Sequence, residues 1–197
     1  LRADVESVRA VRQAVGPAVE IMLDVNGAYD AATAIRAARQ LEPLDITWLE
    51  EPVFPDDVSG YELIRKNSGI PLAAGESEFG VFGFRDLIAA RAVDVCQPDP
   101  AIAGGLTEVQ RICALAAAHE LTVAPHLWGS AVLFAAGLHL AIATPCVTIL
   151  EFTRGENPLL HDLVEEPFEL RDGYVLAPER PGLGLTLRRD FVGRVTV

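Results

Sequence analysis

Residues 19–51 read VEIMLDVNGAYDAATAIRAARQLEPLDITWLEE, and this stretch decides the fold. Its first apolar run, 19–23, is broken only by Glu20 and delivers Asp24 just before the turn pair Asn26-Gly27, the pattern of a short strand running into a loop. Asp30 stands where a helix N-cap is wanted, because its carboxylate can accept a backbone N–H that the first turn leaves unpaired. Ala31, Ile35, Ala38 and Leu41 then share one helical face. A second apolar run, 46–49, ends on Glu50. Two strands separated by a helix need a crossover connection, so they lie parallel.

The unit repeats in both directions. Upstream, Val5, Val8, Val11 and Val15 keep a helical spacing until Gly16-Pro17 breaks it. Downstream, helices are expected around 61–66 and 84–91, with strands over 71–74, leading to Glu76, and 93–96, leading to Asp99. Thr107, with Gln110 three residues on, resembles a capping box opening a helix to about His119, and 121–124 is the strand that presents His126. Residues 130–143 make an almost unbroken apolar helix, which calls for packing on both sides. A sixth strand, 147–150, ends at Glu151. Past Pro158 the pattern dissolves into short strand-like pieces such as 174–176, between Asp172-Gly173 and the Pro181-Gly182 turn. Six such units imply a parallel sheet, either open or closed. A closed eight-stranded barrel needs two more strands than these residues supply, so either the sheet is open or the chain is a piece of a longer protein.

Composition narrows the function. Half of the residues are hydrophobic and 22% are charged, as in an ordinary globular domain, and the formal charge of -12 argues against nucleic acid and anionic membrane as partners. No run approaches the roughly 18 apolar residues of a membrane helix, and the opening residues read as an amphipathic helix rather than a signal peptide. Cys96, Cys113 and Cys146 are odd in number and sit in apolar stretches, which suits reduced core thiols and a cytoplasmic location.

The strand ends carry the chemistry. Asp24, Glu50, Glu76, Asp99, His126 and Glu151 each close one unit, which places them around the rim where parallel barrels assemble active sites. The first three are hard oxygen donors recurring every 26 residues. Carboxylates so close repel one another unless a divalent cation neutralises them, and an all-oxygen set with room for water suits Mg²⁺. Successive strand side chains point to opposite faces, so only one of Glu50 and Glu51 can enter the mouth. Glu50 is the choice here, and Glu51 is expected in a salt bridge or loop contact ahead of Pro52. Asp99 and His126, one strand apart, suit a carboxylate that holds one ring nitrogen and leaves the other for general acid–base work. Glu151, if protonated, could donate to a developing oxyanion.

The segments LDVN, WLEEP, AAGES, QPD followed by Gly104-Gly105, PHLWG and ILE resemble the successive strand-end motifs of the mandelate racemase subgroup of the enolase superfamily. The resemblance implies a TIM-type (β/α)7β barrel, represented here by about six βα units, whose amino-terminal capping domain and first strands lie outside these residues. On that reading 1–164 is a partial catalytic barrel and 165–197 a segment returning towards the cap. It also implies Asp24, Glu50 and Glu76 as Mg²⁺ ligands, Asp99 and His126 as the dyad, Glu151 as the enolate hydrogen-bond donor, and Asn26 beside metal and substrate. The related muconate-lactonising group carries a lysine where Asp99 stands, so the histidine branch is indicated. Its members dehydrate acid sugars or racemise hydroxy acids. The expected partner is a small carboxylate, and the expected assembly a homo-oligomer.

Blander readings stand beside these. His119, His139 and His161 are taken as ordinary core or surface residues, and Trp48 and Phe54 as packing residues. Trp128 divides evenly between lining the pocket and not. Asp56-Asp57 reads as a solvated loop or a helix cap. A barrel glycosidase would need paired carboxylates but no acidic trio and no Asp/His pair. A barrel remnant that binds metal or a partner without turnover is the non-enzymatic rival.

Overall fold

In the computed structural model, which describes residues 1–195, the quoted stretch folds as read. Strands β1 (Ile21–Asp24) and β2 (Ile46–Glu50) pair in parallel, and helix α2 (Ala31–Leu41) connects them. Asp30 caps α2 by accepting the Thr33 N–H at 2.7 Å. The helix buries Ala34, Ala37, Ala38 and Leu41, and the three small side chains let its backbone approach closely. A 3-10 turn, Glu42–Leu44, and Asp45 at φ 54 redirect the chain into β2.

Around this unit lie α1 (Arg2–Val15), α3 (Val58–Asn67), β3 (Leu72–Ala74), α4 (Gly80–Ala89), β4 (Val95–Cys96), α5 (Leu106–Ala118), β5 (Thr122–Val123) and α6 (Ala131–Ala143). The five strands form one parallel sheet in sequence order, so each helix is a crossover between neighbours. Alternation divides the strand side chains. Leu49, Leu72, Cys96 and Val123 join the main core with Tyr61, Ile64, Phe84 and Ile112 from the helices. Trp48, Ala73, Val95 and Ala124 meet on the other face, the interior side of the curved sheet.

Several local expectations are corrected. The sixth strand is only a single parallel bridge from Val147 to Val123, with Val123 N–H to Cys146 O at 2.8 Å and Thr148 N–H to Val123 O at 3.3 Å. The next rung of a parallel ladder would need an N–H at position 125, and Pro125 has none. The capping box at Thr107 does not form. Gly105, at φ 88, starts α5 at Leu106 and puts Thr107 inside the first turn. Helices α3 and α4 begin earlier than their apolar spacing suggests, α3 because the Asp57 carboxylate caps it through Gly60 N–H at 2.9 Å.

Beyond the sheet come α7 (Pro158–His161), an antiparallel pair of β6 (Leu170–Arg171) and β7 (Tyr174–Val175), and α8 (Arg189–Val195). Phe134 of α6 meets Phe152 and Phe168 edge-on, with centroids 5.0 and 4.7 Å apart. Ala131 of α6 packs with Leu163, Val164 and Phe191, while its Leu140 joins the main core. This two-sided burial explains why α6 is apolar nearly all round. Of the expected carboxy-terminal segment, 196–197 lie outside the described residues. No described helix is long and apolar enough to cross a membrane. All three cysteines are free; Cys146 Sγ lies 3.5 Å from the Cys113 carbonyl oxygen, and burial pushes the Cys96 and Cys113 thiols up to about 12.

Candidate active site

Parallel register sets Asp24 beside Glu50, one strand spacing apart at the carboxyl ends of β1 and β2. Past the strands the pair stays zipped, with Val25 N–H to Glu50 O at 3.0 Å and Gly27 N–H to Glu51 O at 2.7 Å. Asn26, at φ 50, folds back on Asp24: its backbone N–H donates to Oδ1 at 2.8 Å and its side-chain amide to Oδ2. Glu50 Oε2 accepts the Trp48 indole N–H at 3.1 Å. Burial pushes the Glu50 carboxyl up, hydrogen bonds from Gln97 and Trp48 pull it back, and the charges of Asp24 and Glu76 raise it again.

Glu76 follows β3 through Gly75, whose φ of 128 belongs to glycine and where a Cβ would sit 2.6 Å from a Phe84 ring carbon. Its carboxyl is also raised, chiefly by burial, with His126 opposing and Asp24, Glu151 and Asp99 adding to it. Asp24, Glu50 and Glu76 make no salt bridge to lysine or arginine among the described residues. Nor, as they stand, is any group of three His, Cys, Asp or Glu side chains there gathered tightly enough to hold a metal ion. Asp24 is hydrogen-bonded to Asn26, and Glu50 to Trp48. The donor chemistry nevertheless fits a hard dication: three carboxylates at the ends of adjacent strands, with no lysine or arginine paired to them among the described residues and the His126 imidazole 3.6 Å from Glu76.

The dyad is formed. Asp99, 2% exposed just beyond β4, accepts Ala101 N–H on Oδ1 at 2.6 Å and faces His126 Nδ1 with Oδ2 at 2.7 Å. His126 Nε2 points into the mouth, 3.6 Å from Glu76 Oε2. Burial works to lower the imidazole, but the Asp99 hydrogen bond and the charges of Glu76, Glu151 and Asp99 outweigh it and raise it to about 9. Glu151 accepts the Leu127 N–H on Oε2 at 2.7 Å, which ties it to the loop carrying the histidine. Trp128 lies 60% exposed on the same loop.

Three participants escaped sequence reasoning. Among the described residues Glu51 makes no salt bridge, and its Oε1 has no partner; it is 4% exposed. Its φ of 35 takes the chain out of the β region, so strand alternation no longer governs it. Burial first, then Glu76, Asp24 and Glu50, push its carboxyl up to about 7. Trp48 and Gln97 bear on Glu50, a role that an apolar run and a lone glutamine do not announce. The WxE spacing is the one available signal, since residues two apart on a strand share a face.

Over residues 1–191 the sequence matches the family described as enolase C-terminal domain-like. The chain belongs to that family. The resemblance carried by LDVN through ILE is thus borne out, and the sheet is part of an enolase-superfamily barrel. Relatives of this enolase-type domain include a D-galactarolactone cycloisomerase of Agrobacterium fabrum, 37% identical over 95% of the chain and 52% of the relative. A D-xylonate dehydratase of Haloferax volcanii is 36% identical over 95% of the chain and 46% of the relative. A racemase from Streptomyces coelicolor, solved with bound magnesium, superposes with a TM-score of 0.90 at 34% identity, over all of this chain and 52% of that one. The chain therefore spans about half the length of the relatives it matches, which are named for lyase and isomerase activities.

Proposed function

We propose that this chain supplies the catalytic face of an acid-sugar dehydratase. The proton α to a substrate carboxylate is removed, the resulting enediolate expels the β-hydroxyl as water, and the enol product becomes a 2-keto acid. The single observation that carries this reading is the Asp99–His126 pair, with Nε2 directed at the acidic rim. Asp24, Glu50 and Glu76 would hold Mg²⁺, which when bound supplies fixed positive charge where the enediolate gathers negative charge; enolase-superfamily sites in general combine a Lys or His base with such a cation. Asp99 fixes the imidazole ring and its tautomer. His126 Nε2 takes the α-proton and gives a proton to the departing hydroxyl, or serves as the acid alone while a second base on the far face of the substrate takes the α-proton. Glu151, when protonated, donates to the second carboxylate oxygen, held in place by the Leu127 N–H. A small carboxylate is the partner, and a cytosolic homo-oligomer the setting.

A screen of the full-length protein against acid sugars with Mg²⁺, read for 2-keto product and for α-proton exchange in D₂O, tests the reading. Product supports dehydration, exchange without product indicates the racemase alternative, and neither across the panel sinks both. The cycloisomerase relative favours a second reading, in which the β-oxygen belongs to a ring and its departure opens the ring instead of releasing water. Turnover of cyclic but not open-chain sugar acids would select it.

A further inference from the structure

We infer that Trp48, assisted by Gln97, is a positioning residue that sets the plane of the Glu50 carboxylate for metal binding. The inference rests on the metal-ligand reading of Glu50 above. Strand β2 puts Trp48 and Glu50 two residues apart on the interior face, and the indole N–H reaches back to Oε2 at 3.1 Å. The ring fits there because β3, β4 and the β5 end present only Ala73, Val95 and Ala124 beneath it. Packing alone would ask for any large apolar side chain; the bond asks for an N–H at that edge of the ring.

Gln97, one residue past β4, is 5% exposed, lines the same cavity as Glu50 and bears on its carboxylate, while its Oε1 has no partner among the described residues. Met22, Asp24, Trp48, Glu50, Gln97 and Glu151 line a partly open cavity of about 210 Å³ at the rim. A carboxylate rotates about its last side-chain bond, and Glu50 has like charges beside it in Asp24 and Glu76. The indole N–H holds Oε2 and leaves Oε1 for a cation, so less reorganisation is needed when one arrives. Outer-shell partners of this kind are typically worth roughly ten- to a hundred-fold in metal affinity.

The test is calorimetric titration of the substrate-free full-length protein with Mg²⁺, run on Trp48→Phe, Gln97→Met and Glu50→Gln. Trp48→Phe should bind Mg²⁺ about ten-fold more weakly and lose the tryptophan ultraviolet difference band that Mg²⁺ induces in the parent. Excess Mg²⁺ should restore its turnover. If Trp48→Phe does not fold, Gln97→Met carries the same prediction with a smaller loss of affinity. Unchanged affinity in the folded variants, with Glu50→Gln weakened, overturns the positioning inference and leaves the metal reading standing. Unchanged affinity in Glu50→Gln as well overturns both. Weaker binding whose turnover excess Mg²⁺ does not restore marks a packing role and also overturns the inference.

Discussion

The carboxylates at the ends of β1 to β3 and the Asp99–His126 pair beyond β4 and β5 occupy the same rim, yet they handle buried charge in opposite ways. The pair is self-sufficient. Asp99 accepts hydrogen bonds on both oxygens, the imidazole beside it is raised to about 9, and the geometry is complete without any ligand. In the acidic trio, burial and then neighbouring charge push Glu50 and Glu76 up; among the described residues no lysine or arginine pairs with the trio, and the His126 imidazole opposes the shift at Glu76. One half of the site is preorganised by its own residues, and we propose that the other is completed by a cation.

The sharpest way to break this contrast is His126→Asn. Turnover of the full-length protein should fall by roughly 10²- to 10⁴-fold, the usual range for a positioned acid–base group, while Mg²⁺ affinity changes little. Retained turnover would remove the dyad from the chemistry. Next comes Glu76→Gln, for which Mg²⁺ affinity by calorimetry should drop at least about ten-fold, since losing a ligand costs no less than losing an outer-shell partner. With metal withheld, the same variant should melt slightly higher than the parent, because burial of the Glu76 charge and its acidic neighbours outweigh the attraction of His126. A lower metal-free melting temperature would contradict the picture of a strained trio.

A smaller effect is expected from Asn26→Gly, which keeps the left-handed backbone but frees Asp24 Oδ2. Mg²⁺ affinity should shift only a few-fold; a loss as large as that of Glu76→Gln would make Asn26 a ligand in its own right. The finest test uses pH. The folded imidazole, at about 9, lies above its ordinary 6.5, so its contribution to stability is fully present below pH 6.5 and fades as pH rises through 9. Urea unfolding of the metal-free protein should show that decline, and His126→Asn should flatten it. A dication near Glu76 should move the His126 midpoint down, which NMR titration with and without Mg²⁺ reads directly.

Much of this contrast is legible along the chain, but unevenly. Asp24 and Glu50 are predictable as neighbours because each closes an apolar run of similar length, and parallel pairing then aligns them. Glu76 is harder to place. Glu50 pairs with Ala73, so Glu76 lies three residues further on and is delivered by the φ of Gly75 rather than by strand register. The sixth strand failed as an expectation because its length depends on the donor set of its neighbour, where Pro125 ends the ladder. Glu51 makes the expected loop contact, through its carbonyl oxygen to Gly27 N–H, but no salt bridge among the described residues, and alternation does not govern its side chain because the chain leaves the β region there.

The order of strands and helices, and the identity of the polar residue closing each strand, came from the sequence alone. Periodicity and polarity are properties of a few consecutive residues, and they survive whatever the rest of the chain does. Only the tertiary structure decided that Asp99 lies 2.7 Å from His126, that the Trp48 indole bonds Glu50, and that Glu51 is buried without a partner for Oε1. Those facts depend on which strands become neighbours and how far each loop carries its side chain back over the rim, and no local pattern records either.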